Sequence, residues 1–364
     1  MDLPNDPRDL PFPFPVVTWR DGAVVLIDQC RLPEDLIFRI CRDIPSLCAA
    51  IRELAVRGAP AIGVAAAWGL ALSWDLSGRD GCNVEAAYAR LLSDRDALAA
   101  TRPTAVNLFW ALDRQMRVVD SIRGEGVGLE IIGRLLAAEA ETIREQDVAL
   151  GRAMGAAGAE LLPADATVLT HCNAGGLATG GYGTALGVVY AAHDAGKKIR
   201  VYADETRPLL QGGRLTAWEL HARGVPVTVI CEGAAASLLR SGVVDAVITG
   251  ADRIARNGDA ANKIGTYPLA VMSREHGVPF YVVAPSSTLD AHCPDGAAIP
   301  VEERDESEVL GFRDLRWCPE GVGAWNPAFD VTPAGLIGAI ITERGVHRAP
   351  YRDSLAWIED ESVS

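Results

Sequence analysis

The sequence lacks the marks of several protein classes, and each absence narrows what the chain can be. Its eight cysteines form no CxxC pair and lie at no histidine spacing suited to zinc, so no zinc or disulfide framework is expected. Lysine and arginine number 34 against 48 aspartates and glutamates, which gives a formal net charge of −14. Because nucleic acids are bound through basic faces, we expect no nucleic-acid partner.

Export and membrane signals are also missing. The N-terminal residues 1–7 are acidic and broken by proline, unlike a signal peptide, so we expect a cytoplasmic protein with reduced thiols. The charge-free run 58–74 reaches the lower length limit of a membrane span. It is rich in alanine and glycine and contains Pro60, so we expect a buried helix and no membrane association.

The first third of the chain is patterned as a hairpin followed by helices. Residues 16–20 and 23–27 are apolar runs joined by Asp21-Gly22, a strong turn signal between two strands. Helical periodicity follows over four segments and then over a longer amphipathic stretch, which we expect to be broken near 151–158. The predicted helices are 45–56, 60–74, 84–99, 104–122 and 129–162.

The second half alternates short apolar runs with helical segments, which is typical of a parallel sheet covered on both faces. The predicted strands are 166–170, 199–203, 225–230, 246–249 and 278–284. The predicted helices between them are 184–195, 215–223, 234–241 and 267–276. We therefore predict an α/β protein with an α-rich N-terminal domain (1–125) that includes a small β-hairpin region, a connecting helix (126–162) and a Rossmann-like C-terminal domain (163–364).

Ligands of an open parallel sheet bind beyond the carboxyl ends of the strands, where helix N-termini point. This rule selects five segments that are expected to line one crevice, namely 170–173, 204–207, 231–233, 250–253 and 285–287.

A glycine-rich stretch at 175–183 follows the first of these segments, and its amides could approach a phosphate. Residues 181–186 nearly match a dinucleotide fingerprint. However, Leu186 replaces the small sixth residue, and about ten residues separate the stretch from its strand, whereas the fingerprint follows its strand directly. A dinucleotide-dependent dehydrogenase is therefore disfavoured.

Two side chains at strand ends are candidates for chemistry. Cys172 precedes the glycine stretch and faces helix N-termini, so a reactive role and a structural role are both open. Asp252, which is near Arg253 and Lys263 in sequence, could be a general acid or base, or it could instead be an N-cap or part of a loop salt bridge. His171 is expected to be structural, because side chains alternate across a strand.

Long motifs in a fixed order resemble the 5-methylthioribose-1-phosphate isomerase family of methionine salvage. This family shares a superfamily with ribose-1,5-bisphosphate isomerases and with regulatory subunits of the translation-initiation guanine-exchange factor. The motifs cover almost the whole chain and are found at 26–29, 57–63, 102–108, 170–175, 205–212, 252–266, 302–304 and 326–333. One departure is visible at 232–235, which reads Glu-Gly-Ala-Ala where the family usually has Asp-Ser-Met-Ala.

The resemblance implies an aldose–ketose isomerase acting on a small phosphorylated sugar, without cofactor or metal, as a homodimer. Carried over by position, Asp252 is the proton donor, in a closed crevice that raises its pKa, and Cys172 is a transition-state stabiliser or proton shuttle. The implied substrate-binding residues are Arg57, Gly58, Ala59, Arg102, Gln211, Asn262 and Lys263.

Two alternatives remain open at this point. The first is a ribose-1,5-bisphosphate isomerase built on the same core, and use of 5-deoxyribose 1-phosphate is also undecided. The second is a non-catalytic subunit like those of the exchange factor, which is not expected to keep Cys172 and Asp252 together with the Arg57 motif.

Overall fold

The structure is a computed structural model that describes residues 6–103 and 105–357. The chain divides into two units. The first holds the chain up to Ala149 together with Gly175–Gly183, and the second holds Leu150–Ala174 and everything from Thr184 onward.

The first unit begins with a three-stranded antiparallel sheet and continues with helices. Its strands are β1 (Val17–Arg20), β2 (Ala23–Ile27) and β3 (Phe38–Cys41), in the order β1-β2-β3. Its helices are α1 (Ile44–Arg52), α2 (Ala59–Arg79), α3 (Val84–Ala99), α4 (Val106–Ile122) and α5 (Leu129–Ala159), the last of which runs on into the second unit. The predicted hairpin is confirmed. The expected break in the long helix is wrong, since α5 is continuous.

Helix α2 is the core of the first unit. It is long and apolar enough to cross a membrane by length and composition, but most of it is buried inside the structure. Its interior residues from Ala61 to Trp74 are buried, and Gln115 of α4 donates to the carbonyl of Ala67 at 3.2 Å. The prediction of a buried helix at 58–74 is therefore confirmed, because α2 is surrounded by its own unit.

The second unit is built on a seven-stranded sheet in the order β16-β15-β10-β7-β4-β5-β6, parallel except for β16. Its strands are β4 (Asp165–Thr170), β5 (Lys198–Asp204), β6 (Val227–Ile230), β7 (Ala246–Thr249), β10 (Phe280–Val283), β15 (Ala339–Thr342) and β16 (Gly345–His347). Its helices are α6 (Ala185–Asp194), α7 (Ala217–Ala222), α8 (Ala235–Arg240), α9 (Thr266–Glu275), α10 (Ser307–Leu310) and α11 (Tyr351–Ser354). The predicted Rossmann-like α/β architecture is confirmed.

A second, four-stranded sheet and a short hairpin were not predicted. The sheet has the order β11-β8-β9-β14, from strands β8 (Arg253–Ala255), β9 (Ala260–Lys263), β11 (Leu289–Asp290) and β14 (Phe329–Thr332). The hairpin pairs β12 (Gly311–Phe312) with β13 (Leu315–Arg316). The strands of the four-stranded sheet are too short and too polar to stand out by periodicity.

The glycine-rich segment 175–183 packs against the chain of the first unit. The amide of Phe14 donates to the carbonyl of Gly181 at 2.9 Å, and the amide of Gly180 donates to the Asp147 carboxylate at 2.5 Å. Gly181 has φ +129°, and a Cβ there would collide with the carbonyl oxygen of Phe14. Glycine is therefore required at this position by close backbone packing.

Asp147 makes the stability of the first unit depend on pH. Burial raises the pKa of this carboxyl to about 6 against an ordinary 3.8, while the Gly180 amide lowers it. The folded protein then binds more protons than the unfolded chain between these two values, so the free energy of unfolding falls as the pH rises through this window.

We expect Asp147→Asn, which keeps an acceptor for the Gly180 amide, to raise the free energy of unfolding at pH 8 by about 1–3 kcal/mol. The gain should shrink as the pH falls and should disappear at about pH 3, below both pKa values, where the parent carboxyl is largely protonated in both states. Denaturant unfolding at both pH values measures the effect. Glu145→Gln, which removes an exposed carboxylate of the same helix, is the control and should show no such pH-dependent gain. A gain that is equal at both pH values would contradict the assignment.

Candidate active site

The strand order of the second unit has a switch point between β4 and β7, where successive strands change from one side of β4 to the other. From β4 the chain moves outward through β5 and β6, then returns to β7 on the other side of β4 and continues through β10 and β15. Ligands of doubly wound sheets bind at this switch point, between the carboxyl ends of the two central strands. Cys172 follows β4 and Asp252 follows β7, so the two candidate catalytic residues flank the switch point.

Cys172 is half-buried and has a left-handed backbone, with φ +63°. Thr206 and Leu210, in the loop after the neighbouring strand β5, are also left-handed, with φ +65° and +57°. Non-glycine residues in this region are uncommon, and they cluster where structure around a site holds them in place. The loops at the ends of β4 and β5 are therefore held in strained conformations.

His171, which directly follows β4, forms hydrogen bonds to the end of β5 and to the turn after β9. Its side chain is buried, its Nδ1 lies 3.0 Å from the carboxylate of Asp204, and its Nε2 lies 2.8 Å from the carbonyl oxygen of Ile264. A carbonyl only accepts, so Nε2 carries a hydrogen that it donates. Burial alone would lower the pKa of His171, but the hydrogen bonds to Asp204 and Ile264, together with the charges of Asp204 and Glu232, raise it. His171 therefore binds the turn at Ile264 to the ends of β4 and β5.

Asp252 stands at the start of an antiparallel hairpin formed by β8 and β9. Its amide donates to the carbonyl of Ala261 at 2.8 Å, which fixes the backbone of Asp252 beside Asn262. The Asp252 side chain is exposed, so the burial expected for a closed crevice is not seen in the structure. The hairpin begins at Arg253, soon after β7 ends at Thr249, so Asp252 remains at the carboxyl end of this strand.

Asn262 and Lys263 lie at the end of β9 and are held by β14. The pairs Lys263 with Phe329 and Asn262 with Asp330 are in register between these antiparallel strands. The ammonium of Lys263 donates to the carbonyl of Ala328 at 2.9 Å and lies 4.8 Å from the centre of the Phe329 ring. The motif at 326–333 thus supports the two residues that were predicted to bind substrate.

Gln211 follows the strained loop after β5. It is buried, and its Oε1 has no hydrogen-bond partner in the part of the chain that the structure describes. Buried polar groups are nearly always hydrogen-bonded, so such an acceptor is a candidate ligand contact. The same loop is tied to the unusual 232–235 segment, because the amide of Arg207 donates to Glu232 at 3.1 Å. Burial raises the pKa of Glu232, and the charge of His171 opposes this effect.

The remaining predicted substrate contacts belong to the first unit. Arg57 is half-buried and directly precedes Gly58, which caps α2 with φ +90°. Ala59 is the first residue of α2, and the N-cap residue Gly58 has no side chain with which to cap the helix. Arg102 is half-buried between α3 and α4, in a motif whose Thr104 lies outside the described residues. Arg57 therefore stands in the chain directly before the N-terminus of α2, the end of a helix that favours anions.

Metal binding has no evident ligand set. Within residues 6–103 and 105–357, no three His, Cys, Asp or Glu side chains are grouped so that they could hold an ion.

The same core is found in known proteins. The model of the initiation factor 2 subunit family matches residues 55–349. The chain belongs to this family. Among its relatives, the methylthioribose-1-phosphate isomerase of Syntrophotalea carbinolica is 57% identical over 340 residues, which is 93% of this chain and 98% of that protein.

Two solved structures have a similar fold. The crystal structure of 5-methylthioribose 1-phosphate isomerase from Pyrococcus horikoshii OT3 has a TM-score of 0.89 and 44% identity, and the match covers 95% of this chain and 96% of that chain. A structure described as translation initiation factor eIF-2B, subunit delta, from A. fulgidus has a TM-score of 0.86 and 44% identity, over 95% and 99% of the two chains.

Proposed function

We propose that this chain is an aldose–ketose isomerase that converts 5-methylthio-α-D-ribose 1-phosphate to 5-methylthio-D-ribulose 1-phosphate in methionine salvage. The observation that carries the proposal is its near full-length similarity to the isomerase of Syntrophotalea carbinolica. The positions of Cys172 and Asp252 beside the switch point support it, since this reaction needs two groups at one crevice.

The substrate itself sets the chemistry. Its phosphate sits on the anomeric oxygen, so the ring cannot open to a free aldehyde as it does in an ordinary sugar. The bond from C1 to the ring oxygen must break, and the ring oxygen must take a proton. We assign that proton to Asp252 as general acid. One hydrogen moves from C2 to C1, and the proton released by the C2 hydroxyl restores Asp252, so no oxidant or reductant is consumed.

Cys172 has two possible roles in this scheme. It either carries the hydrogen between C2 and C1 or stabilises charge while the hydrogen passes directly. Its half-buried position at the end of β4 is compatible with both roles.

The phosphate and the sugar hydroxyls need cations and polar groups. We assign the phosphate to the cations of Arg57, Arg102 and Lys263, since guanidinium groups can bind phosphate through two parallel hydrogen bonds. Backbone amides at Gly58 and Ala59 and the side chains of Gln211 and Asn262 complete the proposed set of contacts.

Arg57→Ala should weaken binding of the ketose phosphate product at least about tenfold, because a hydrogen bond to a charged group is removed. Calorimetric titration with product measures the dissociation constant. Arg52→Ala, which changes an exposed arginine at the end of α1, is the matched control and should bind like the parent. Equal affinity of all three proteins would remove Arg57 from the site.

The activity is tested by product analysis with methylthioribose 1-phosphate, 5-deoxyribose 1-phosphate and ribose 1,5-bisphosphate as separate substrates. We expect the first to be converted to its ketose without added metal or nucleotide and in the presence of a chelator. Loss of activity in chelator that a divalent ion restores would contradict the cofactor-free mechanism. Faster conversion of ribose 1,5-bisphosphate would favour the alternative isomerase.

A non-catalytic regulatory role is the second candidate, because the similar A. fulgidus structure is described as an initiation-factor subunit. Conversion of none of the three sugar phosphates would favour it.

We further propose a cytoplasmic homodimer that interacts with neither nucleic acid nor membrane. The net charge of −14 supports the absence of a nucleic-acid partner. Sedimentation velocity of the purified protein tests the dimer.

A further inference from the structure

The backbone of Cys172 is held at both of its polar groups by buried threonine hydroxyls. Its amide donates to Thr206 Oγ1 at 2.8 Å, and its carbonyl oxygen accepts from Thr216 Oγ1 at 2.7 Å. Both threonines are fully buried. They come from different elements, the loop after β5 and the π-helical segment Gly212–Thr216. Neither hydrogen bond belongs to a helix or a sheet.

The direction of these hydrogen bonds is fixed by chemistry. An amide can only donate, so Thr206 Oγ1 accepts from Cys172. The hydroxyl hydrogen of Thr206 is then directed to the carbonyl of Asp204, at 3.0 Å. Gly212 leaves room for this arrangement, because a Cβ at that position would lie 2.9 Å from Thr206 Oγ1 and would collide with the Asp204 carbonyl. The loop is therefore built around the Thr206 hydroxyl.

We propose that Thr206 is a positioning residue, whose hydroxyl holds Cys172 in the left-handed conformation that presents its thiol in the crevice. A left-handed backbone with φ +63° costs free energy for a residue with a side chain, and the hydrogen bond to Thr206 offsets this cost. Without that acceptor, the left-handed conformation of Cys172 is less stable. Rotation about the N–Cα bond swings Cβ and Sγ relative to β4. The catalytic consequence rests on the proposed function, whereas the effect on the thiol does not.

Two variants test the proposal. Thr206→Val removes the hydroxyl at nearly constant volume, and Thr206→Ser keeps it. We expect Thr206→Val to lower kcat for methylthioribose 1-phosphate at least about tenfold with little change in KM, since a displaced catalytic group affects the chemical step. Thr206→Ser should restore kcat to within about twofold of the parent, because the hydrogen bond returns.

A second measurement is independent of any isomerase activity. The rate of Cys172 alkylation by iodoacetamide is followed by mass spectrometry of the peptide that contains it, which separates Cys172 from the other thiols. We expect Thr206→Val to slow this reaction at least about threefold and Thr206→Ser to leave it unchanged. Thr342→Val is the matched control, since its fully buried hydroxyl also accepts a backbone amide, that of Arg344, at the end of β15.

The outcomes are distinct. The positioning role is overturned if Cys172 in Thr206→Val is alkylated as fast as in the parent or faster. It is also overturned if Thr342→Val slows the alkylation of Cys172 as much as Thr206→Val does. If the parent protein isomerises none of the sugar phosphates but alkylation slows as expected, the proposed function fails and the positioning of the thiol stands. If Thr206→Val does not fold, Thr216→Val takes its place, because it removes the hydrogen bond to the Cys172 carbonyl. The same slowing of Cys172 alkylation, at least about threefold, is expected for it.

Discussion

Asp252→Asn is expected to lower kcat at least about 100-fold, the usual scale for loss of a positioned acid. The carboxamide keeps the shape of the side chain but has no acidic proton to give to the ring oxygen. The Asp252 side chain is exposed, so the free energy of unfolding should stay within about 0.5 kcal/mol of the parent value. Steady-state kinetics and denaturant unfolding measure the two quantities.

The control for this variant is Asp290→Asn. Asp290 is a nearby carboxylate that lies 3.6 Å from Arg253, the residue next to Asp252. Asp290 belongs to β11 of the four-stranded sheet and does not lie at the end of β4 or β7, the strands beside the switch point. We therefore expect its substitution to leave kcat close to the parent value. A folded Asp252→Asn protein with near-parent turnover would exclude this carboxyl as the acid.

Cys172→Ser should also lower kcat at least about 100-fold, because a hydroxyl is a much weaker acid than a thiol and cannot replace it in proton transfer. Cys82→Ser provides the comparison, because Cys82 is a half-buried free thiol like Cys172 but lies between α2 and α3 of the first unit. Its substitution should leave kcat unchanged, and an equal loss in both variants would show that the effect is not specific to the site.

The parent enzyme in deuterium oxide decides between the two roles of Cys172. If the thiol carries the hydrogen, it can exchange with solvent on the way, and the ketose acquires deuterium at C1. If the hydrogen passes directly from C2 to C1, the product contains none. Proton NMR of the product distinguishes the two outcomes.

Much of the second unit could be predicted from the sequence because its strands are short apolar runs between helical segments. The prediction of 246–249 matches β7 at both ends, and β4 begins one residue before its predicted start. Once the strands were located, the rule on strand ends selected Cys172 and Asp252. The physical reason is that a buried parallel strand must be apolar on both faces.

The small sheet that carries Asn262 and Lys263 could not be found in this way. Its strands β8 and β9 are three and four residues long and include Arg253, Asn262 and Lys263, so no apolar period reveals them. One signal was available, since Asn257-Gly258 is a favoured turn and lies between these two strands. Recognising it would have predicted the hairpin, although not its pairing with β14, which is distant in sequence.

The glycine-rich segment 175–183 illustrates a different limit. Its composition suggested phosphate binding, whereas the described contacts of Gly180 and Gly181 include Asp147 and Phe14 of the first unit. Glycine serves both purposes for the same reason, the absence of a side chain that would block close approach. Composition alone therefore cannot distinguish a ligand loop from a packing loop.

Segment 175–183 belongs to the first unit but is inserted in the chain between two parts of the second unit, which limits where cleavage can separate the two units. The bridge between Gly175 and Gly183, and the hydrogen bond from the amide of Thr184 to the carbonyl of Ala174 at 3.0 Å, bring the two ends of the excursion together. A single cleavage anywhere between the units would separate the first unit from a part of its own interior. Limited proteolysis should therefore yield no stable N-terminal fragment, whereas genetic replacement of 175–183 by a short linker is sterically simple for the second unit.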